Sequence, residues 1–320
     1  MTVRTALITG ATGQDGTLLG EHLVGLGYRV VGVVRKDAAT NPAGRVAGVD
    51  LVAADLCDHV VVRGLLDRWQ PDEIYHLAAF HHSSEDHSAG ASPVTSRQRT
   101  LATNFLATQA LAFAVLESGA HPALVFAASS QMYTPAGPCD VISESTPRRP
   151  STFYGHVKSW STDLLAQLRA DLGLRASTAI LFNHESPLRG AQFVSRKITR
   201  AAAAIRSGRA AGLEVLNTRA RVDWSSARDV VVALHRMAVS QTPGDHVVAS
   251  GALHSVEDLL EVAFGHVGLD WRDHTTVRGA HSDNALQGDP RKLETDLGWR
   301  RAWTFENMIV EMVEHDLHSG

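Results

Sequence analysis

The chain has 320 residues, a formal net charge of −4, 44% hydrophobic residues and only two cysteines, Cys57 and Cys139. That length can bury a large core. The cysteine count excludes a disulfide framework, and the absence of long charge runs argues against a nucleic-acid surface. Apolar runs such as 30–34 fall far short of the about 20 residues that cross a bilayer. With no secretory leader at the N-terminus, the expectation is a cytoplasmic protein with neither membrane nor nucleic acid as partner.

Residues 3–9 read as a buried strand, followed by Gly10-Ala11-Thr12-Gly13-Gln14-Asp15-Gly16 and then by Leu18, Leu19, His22, Leu23 and Leu26 at helical spacing. Strand, glycine turn and helix in that order suit a pyrophosphate, because small residues admit it to the backbone and the helix presents unsatisfied amides. The spacing is G-x-x-G-x-x-G, not the commoner G-x-G-x-x-G. The second strand, 29–34, ends at Arg35-Lys36, where an NAD enzyme places an acid for the ribose hydroxyls. Two cations suit a 2′-phosphate, so NADP is expected over NAD, although Asp37 follows.

Residues 50–54 form a short strand ending at Asp55, whose carboxylate is placed for the adenine amino group; 60–69 is a helix and 73–77 the next strand. Leu77-Ala78-Ala79 leads into a polar loop, 80–99, assigned to the substrate border. Its His81, His82, Glu85 and His87 are metal ligands by type but match no ligand spacing, so no metal is expected. A helix over 101–118 carries Leu101, Phe105, Ala112 and Val115 as core contacts, and a strand over 124–128 delivers Ser129-Ser130-Gln131-Met132-Tyr133. Such strand ends are where parallel sheets bind ligands.

Tyr154-Gly155-His156-Val157-Lys158 opens the next helix, which continues through Leu164, Leu165, Leu168 and Leu172. Four residues make about one turn, so phenol and ammonium project from one face. An ammonium beside a buried phenol is expected to draw its pKa from about 10 toward neutrality, at a cost of about 4 kcal/mol. Such a tyrosine takes a proton from a secondary alcohol while hydride leaves the same carbon, and Ser129 is placed to hydrogen-bond the reacting oxygen. Tyr-x-x-x-Lys also arises by chance in many helices; the dinucleotide turn gives it chemical meaning.

Strands at 175–182, 213–216 and 246–249 and helices at 193–207, 226–239, 255–267 and 304–317 complete the reading. Repeated strand and helix units imply an α/β fold, a Rossmann-like doubly wound parallel sheet with a smaller C-terminal substrate-binding lobe. The expected division is 1–182 for NADP, with a strand and helix returning from about 226–250, and 183–320 mainly for substrate.

These residues resemble the extended short-chain dehydrogenase/reductases that modify nucleotide sugars, and among them the GDP-mannose 4,6-dehydratases. The matching pieces are Ala6-Leu7-Ile8-Thr9 with the glycine turn, Val33-Val34-Arg35, Tyr154-Gly155 with Lys158, Leu181-Phe182-Asn183-His184-Glu185-Ser186-Pro187, Phe193-Val194 with Arg196-Lys197, Asp223-Trp224, and Leu286-Gln287-Gly288-Asp289. The resemblance implies that Gly10, Thr12, Gly13, Gln14, Asp15, Gly16, Arg35, Asp55, Leu56, Leu77 and Ala79 hold NADP, joined by Tyr154, Lys158, His184 and Arg189. It implies Asn183, Val194 and Lys197 against the nucleotide and Arg278 at the diphosphate, and Ser130 and His81 are assigned to substrate as well. A homodimer or homotetramer built on the long helices is implied too.

The chain departs from that family at four places. Ser129-Ser130-Gln131 stands for Thr-Ser-Glu, Val222 for an arginine with Arg221 beside it, Thr152-Phe153 for Ser-Pro, and 269–284 is shortened. In the dehydratases the glutamate removes the C5 proton after C4 oxidation, and water leaves from C6. An amide cannot accept that proton, and a positioned base is worth about a hundred- to ten-thousand-fold in rate. The expected chemistry is therefore 4-epimerisation or 4-ketoreduction of a nucleotide-diphosphate hexose or heptose, with Ser129, Gln131, Tyr154 and Lys158 as the catalytic positions. A true 4,6-dehydratase with a replacement base among His81, His82 and Glu85 is the alternative. A non-catalytic NADP sensor is a second, but it has no need of Ser129, Tyr154 and Lys158 together.

Overall fold

A computed structural model describes residues 3–35, 46–80, 92–279 and 284–319. Lys36, Asp37, His81, His82, Glu85 and His87 lie outside the described residues. The first half runs β1 (Thr5–Thr9), α1 (Gln14–Gly25), β2 (Arg29–Val34), β3 (Val49–Ala53), α2 (His59–Trp69), β4 (Glu73–His76), α3 (Pro93–Leu101), α4 (Ala107–Ser118), β5 (Ala123–Ala127), β6 (Asp140–Ile142) and α5 (Phe153–Leu172). Then come β7 (Ala176–Leu181), β8 (Asn183–Glu185), α6 (Val194–Arg206), β9 (Leu213–Val215), β10 (Arg221–Ser226), α7 (Ala227–Val239), β11 (Asp245–Val248) and β12 (Leu253–Ser255). The chain closes with α8 (Val256–His266), β13 (Thr275–Val277), β14 (Leu286–Gly288), α9 (Arg291–Leu297) and α10 (Phe305–His318).

Seven strands form one sheet in the order β11-β7-β5-β4-β1-β2-β3, and every pairing in it is parallel. A parallel sheet buried on both faces reads as unbroken apolar runs. β1 shows how the faces divide: Leu7 joins the core under α2, α4 and α5, whereas Ala6 and Ile8 join the core under α1 and α7. The order reverses beside β1, which pairs with β2 on one edge and β4 on the other. The carboxyl ends of the strands at such a reversal form the crevice where ligands bind.

A third apolar core, with Ile198, Trp224, Leu259, Phe264 and Ile309 buried in it, holds α6, α8 and α10 together. Asp223, on β10, joins this part to the sheet. Its carboxylate accepts from the Ser250 amide and hydroxyl at 2.8 and 2.6 Å and from the amides of Gly251 and Gly288 at 3.1 and 3.0 Å. Burial raises its pKa in spite of those four donors. A buried ion pair between Arg196 and Asp316 ties α6 to α10.

Two stretches differ from the sequence reading. The expected loop over 80–99 gives way to α3 at Pro93, where the Ser92 hydroxyl caps the Thr95 amide at 3.1 Å. Proline at the first helical position and serine before it are a helix start. The expected helix start at Leu101 is instead a π-helical turn, Ala102–Leu106, joining α3 to α4. Here buried Asn104 donates through its amide to the carbonyls of Thr100 and Phe80, both at 3.0 Å. Among the named core positions Ala112 and Val115 are buried, whereas Leu101 and Phe105 are only half-buried. No helix among the described residues is long and apolar enough to cross a membrane.

Candidate active site

The end of β1 and the start of α1 make a cradle that only glycine can form. Gly10 has φ +71°, and a Cβ there would lie 2.9 Å from the Ala78 backbone; at Gly16 it would lie 2.3 Å from the Gly10 carbonyl. Gly13 caps α1 with no side chain, so the first-turn amides face outward for an anion. Above the cradle lies a cavity of about 770 Å³, lined by Gly10, Thr12, Gly13, Arg35, Asp55, Leu56, Leu77 and Ala79, and also by Phe80 and Thr103. Its size and the glycine cradle fit a dinucleotide, with Arg35 at the end of β2 and Asp55 beyond β3. The Asp55 carboxylate already accepts the Cys57 amide at 2.9 Å.

A second cavity of about 240 Å³ shares Leu77 and Ala79 with the first. Asp15, Ser129, Ser130, Gln131, Tyr154, Lys158, Asn183, His184 and Arg189 line it. The structure thus brings the four positions singled out for catalysis to one place. Thr152 caps α5 through the Gly155 amide at 3.0 Å, and its hydroxyl donates to Gln131 Oε1 at 3.3 Å. A Cβ on Gly155 would lie 2.1 Å from the Gln131 carbonyl oxygen, so the close approach of α5 to the strand end depends on that glycine. The Ser129 hydroxyl accepts the Gln131 amide at 3.2 Å and hydrogen-bonds Tyr154.

The electrostatics correct one expectation. Burial pushes the Tyr154 phenol well above its ordinary pKa, outweighing the Ser129 hydrogen bond and the nearby Arg189 charge, which pull it down. Lys158 does not draw it to neutrality. Its Nζ donates to the Ala127 carbonyl at 2.7 Å and stands 5.6 Å from the Tyr154 ring centre. At 1% exposure it is itself pushed by burial down to about 7. Desolvation thus opposes charge on both groups, and neither is strongly ionised for the other's benefit. Behind them His76, held by the Thr9 and Thr108 hydroxyls at 2.8 and 3.0 Å, is pushed to about 3 by burial and by Lys158.

The remaining predicted residues divide. Gln14, Asp15 and His184 lie together, but with their side chains bonded to one another and to 182–186. Arg189 stands 3.2 Å from Glu185 and stacks 3.5 Å over the Phe193 ring. Val194 and Lys197 sit half-buried on the first turn of α6. Arg221 donates to the Pro138 carbonyl at 2.6 Å, and exposed Arg278 pairs with Glu214 at 2.5 Å, so neither guanidinium is brought to the catalytic cluster by these bonds. Val222 pairs with His254 in β12 and packs on the third core. Sequence reading named Thr152 and Phe193 without giving either a role at the site and did not name Thr103; the Thr152 helix cap was the legible one.

Residues 7–312 match the family model of the GDP-mannose 4,6 dehydratases. The chain is 37% identical over 336 residues to GDP-mannose 4,6 dehydratase 2 of Arabidopsis thaliana, covering 98% of this chain and 87% of that one. It is 32% identical to GDP-mannose 4,6-dehydratase of Sinorhizobium fredii strain HH103, covering 98% and 97%. Among solved structures, UDP-glucose 4-epimerase from Brucella ovis in complex with NAD superposes with a TM-score of 0.83 at 20% identity, covering 98% and 99%. RMD from Pseudomonas aeruginosa complexed with NADPH gives 0.79 at 21%, covering 99% and 100%. The fold is that of these neighbours, and the chain belongs to the GDP-mannose 4,6-dehydratase family, as an enzyme of the extended short-chain dehydrogenase/reductase type.

Proposed function

We propose that the protein is an NADP-dependent enzyme that oxidises or reduces C4 of a nucleotide-diphosphate sugar without expelling water, as a 4-epimerase or 4-ketoreductase. The observation that carries this is Gln131 at the strand end beside Tyr154, where the elimination base would stand. The carboxylate among the lining residues is Asp15, and it is held by the His184 ring at 3.0 Å. A guanosine diphosphate substrate is supported by the names of the relatives, with residues 1–182 for NADP and 183–320 mainly for the sugar nucleotide. Arg35 at the end of β2 favours NADP over NAD. The long helices are the surfaces through which a homodimer or tetramer would form.

Held at the glycine cradle by residues such as Gly10, Thr12, Gly13 and Arg35, NADP would supply hydride exchange with C4. Tyr154 exchanges the proton of the C4 oxygen, while Ser129 hydrogen-bonds that oxygen and sets its direction. Lys158, near its midpoint at neutral pH, can follow the phenol by giving or taking its own proton. The buried, raised phenol keeps its proton in the resting protein, which suits an acid for a C4 ketone. Gln131 holds a hydrogen bond with Thr152 and takes no proton from C5.

The second reading, a true 4,6-dehydratase, is favoured by the family and by its relatives' names. Gln131→Glu separates the two. The wild-type protein should give a GDP-sugar product that retains its water from GDP-mannose or a related GDP-sugar, and the variant should begin to lose water. Water loss by the wild type at the variant's rate would overturn the proposal. Absence of turnover by both, with NADP+ and GDP-mannose and also with NADPH and a 4-keto GDP-sugar, would favour a sensor.

A further inference from the structure

Gln14 and Asp15 follow the glycine turn, yet their side chains reach toward a segment far along the chain. Gln14 Nε2 donates to the His184 carbonyl at 3.1 Å and to Asp15 Oδ1 at 3.2 Å, and Gln14 Oε1 accepts from the Ser186 hydroxyl at 2.8 Å. Asp15 Oδ2 stands 3.0 Å from His184 Nε2, and His184 Nδ1 stands 2.7 Å from the Phe182 carbonyl. A carboxylate and a carbonyl only accept, so both ring nitrogens donate and His184 is an imidazolium. The His184 side chain is 11% exposed.

We propose that Gln14, Asp15 and His184 are positioning residues, a clamp that fixes 183–186 to the first turn of α1 so that dinucleotide and sugar nucleotide bind cooperatively. This rests on the reading of the two cavities given above. Gly13 of the cradle adjoins Gln14, and Asn183, which lines the second cavity, adjoins His184, so the clamp joins the two and ordering one orders the other, with reciprocal coupling. The pair also sets the charge. Arg189 faces both His184 and Asp15, and Glu185 balances Arg189 at 3.2 Å. With His184 charged the four groups are neutral; without its proton they leave a net negative charge beside the glycine cradle.

The sign of the pH dependence follows. Burial opposes charge on His184, but the Asp15 carboxylate outweighs it and holds the ring above its ordinary range. Burial likewise opposes charge on Asp15, and His184 outweighs it and holds the carboxyl below its ordinary range. The clamp is therefore intact through neutral pH, is lost as pH rises through the raised His184 value, and on the acid side survives until pH falls through the lowered Asp15 value.

Calorimetric titration of the full chain with GDP, with and without saturating NADPH, tests this near pH 6.5 and at a pH above the His184 midpoint that ring NMR gives. Wild type should bind GDP about tenfold more tightly with NADPH at the lower pH and lose most of that gain at the higher. Asp15→Asn and His184→Gln should show little gain at either. In parallel, ring NMR of His184 in the ligand-free protein should show an imidazolium that persists above the ordinary histidine range and loses that persistence in Asp15→Asn. Equal coupling in wild type and Asp15→Asn, coupling unchanged between the two pH values, or an ordinary His184 titration would overturn the clamp. Failure of wild type to bind either ligand while the His184 signal behaves as described would overturn the reading of the cavities.

Discussion

Replacing Gly155 by alanine tests whether the closeness of α5 to the end of β5 sets the catalytic geometry. A Cβ would meet the Gln131 carbonyl oxygen at 2.1 Å, its carbon at 3.0 Å and Pro150 Cβ at 3.1 Å. The first two are backbone atoms, so no rotamer relieves the clash. Relief to ordinary contact needs a shift of more than an ångström between the first turn of α5, which carries Tyr154, and the turn that carries Ser129. Alanine gains about 1 kcal/mol in helix propensity, whereas overpacking costs about 1–3 kcal/mol or more. The net effect should be a loss of about 1–2 kcal/mol, read by urea unfolding. A misplacement of that size costs about a hundredfold in rate, read as product formation from a GDP-sugar by NMR. Wild-type stability together with wild-type turnover in Gly155→Ala would refute the reasoning.

Other expectations concern single groups. Tyr154→Phe should lower turnover by at least about a hundredfold while NADPH affinity, followed by fluorescence, stays within a few-fold. Lys158 falls from its ordinary value to about 7 by burial, so the unfolded chain binds more protons above that point and the ligand-free protein should gain stability as pH rises from about 7 toward 10. Lys158→Met should remove that slope and stabilise the protein near neutral pH by a few kcal/mol, less about 1 kcal/mol for the lost Ala127 hydrogen bond, while abolishing turnover. A denaturant series across pH with an unchanged slope in the variant would refute it. Asp223→Asn turns an acceptor of four donors into a group with donors of its own, and should cost about 2 kcal/mol in unfolding experiments.

Local pattern made much of the sheet legible. Buried strands with β-branched residues, such as Arg29–Val34 and Ala176–Leu181, and the long amphipathic helix Phe305–His318 declare themselves by period. Leu213–Val215 was legible although short, but Asp140–Ile142 and Leu286–Gly288 were not: they are strands because they pair with each other across the fold. The helix at Pro93 was signalled by its cap and hidden by the polarity of its sequence. At the site, spacing alone placed Tyr154 and Lys158 on one face, and the glycine turn placed the cradle. What spacing could not carry was direction and solvation. Tyr154 is itself dehydrated by burial, and Lys158 points to the Ala127 carbonyl, so the phenol rises where a through-space charge argument has it fall. The family resemblance implies Gln14 and Asp15 at the cofactor, and their side-chain hydrogen bonds run to residues that only the closed fold brings near.

The most direct measurement is the reaction of the wild-type protein in deuterated water, with NADP+ and GDP-mannose or a panel of nucleotide sugars and, in parallel, with NADPH and their 4-keto counterparts, followed by NMR and mass. A product that keeps its water, with C4 inverted or reduced and no deuterium at C5, is the result predicted by Gln131 beside Tyr154. Loss of water with deuterium entering at C5 would contradict it and require a base other than Gln131 at that carbon.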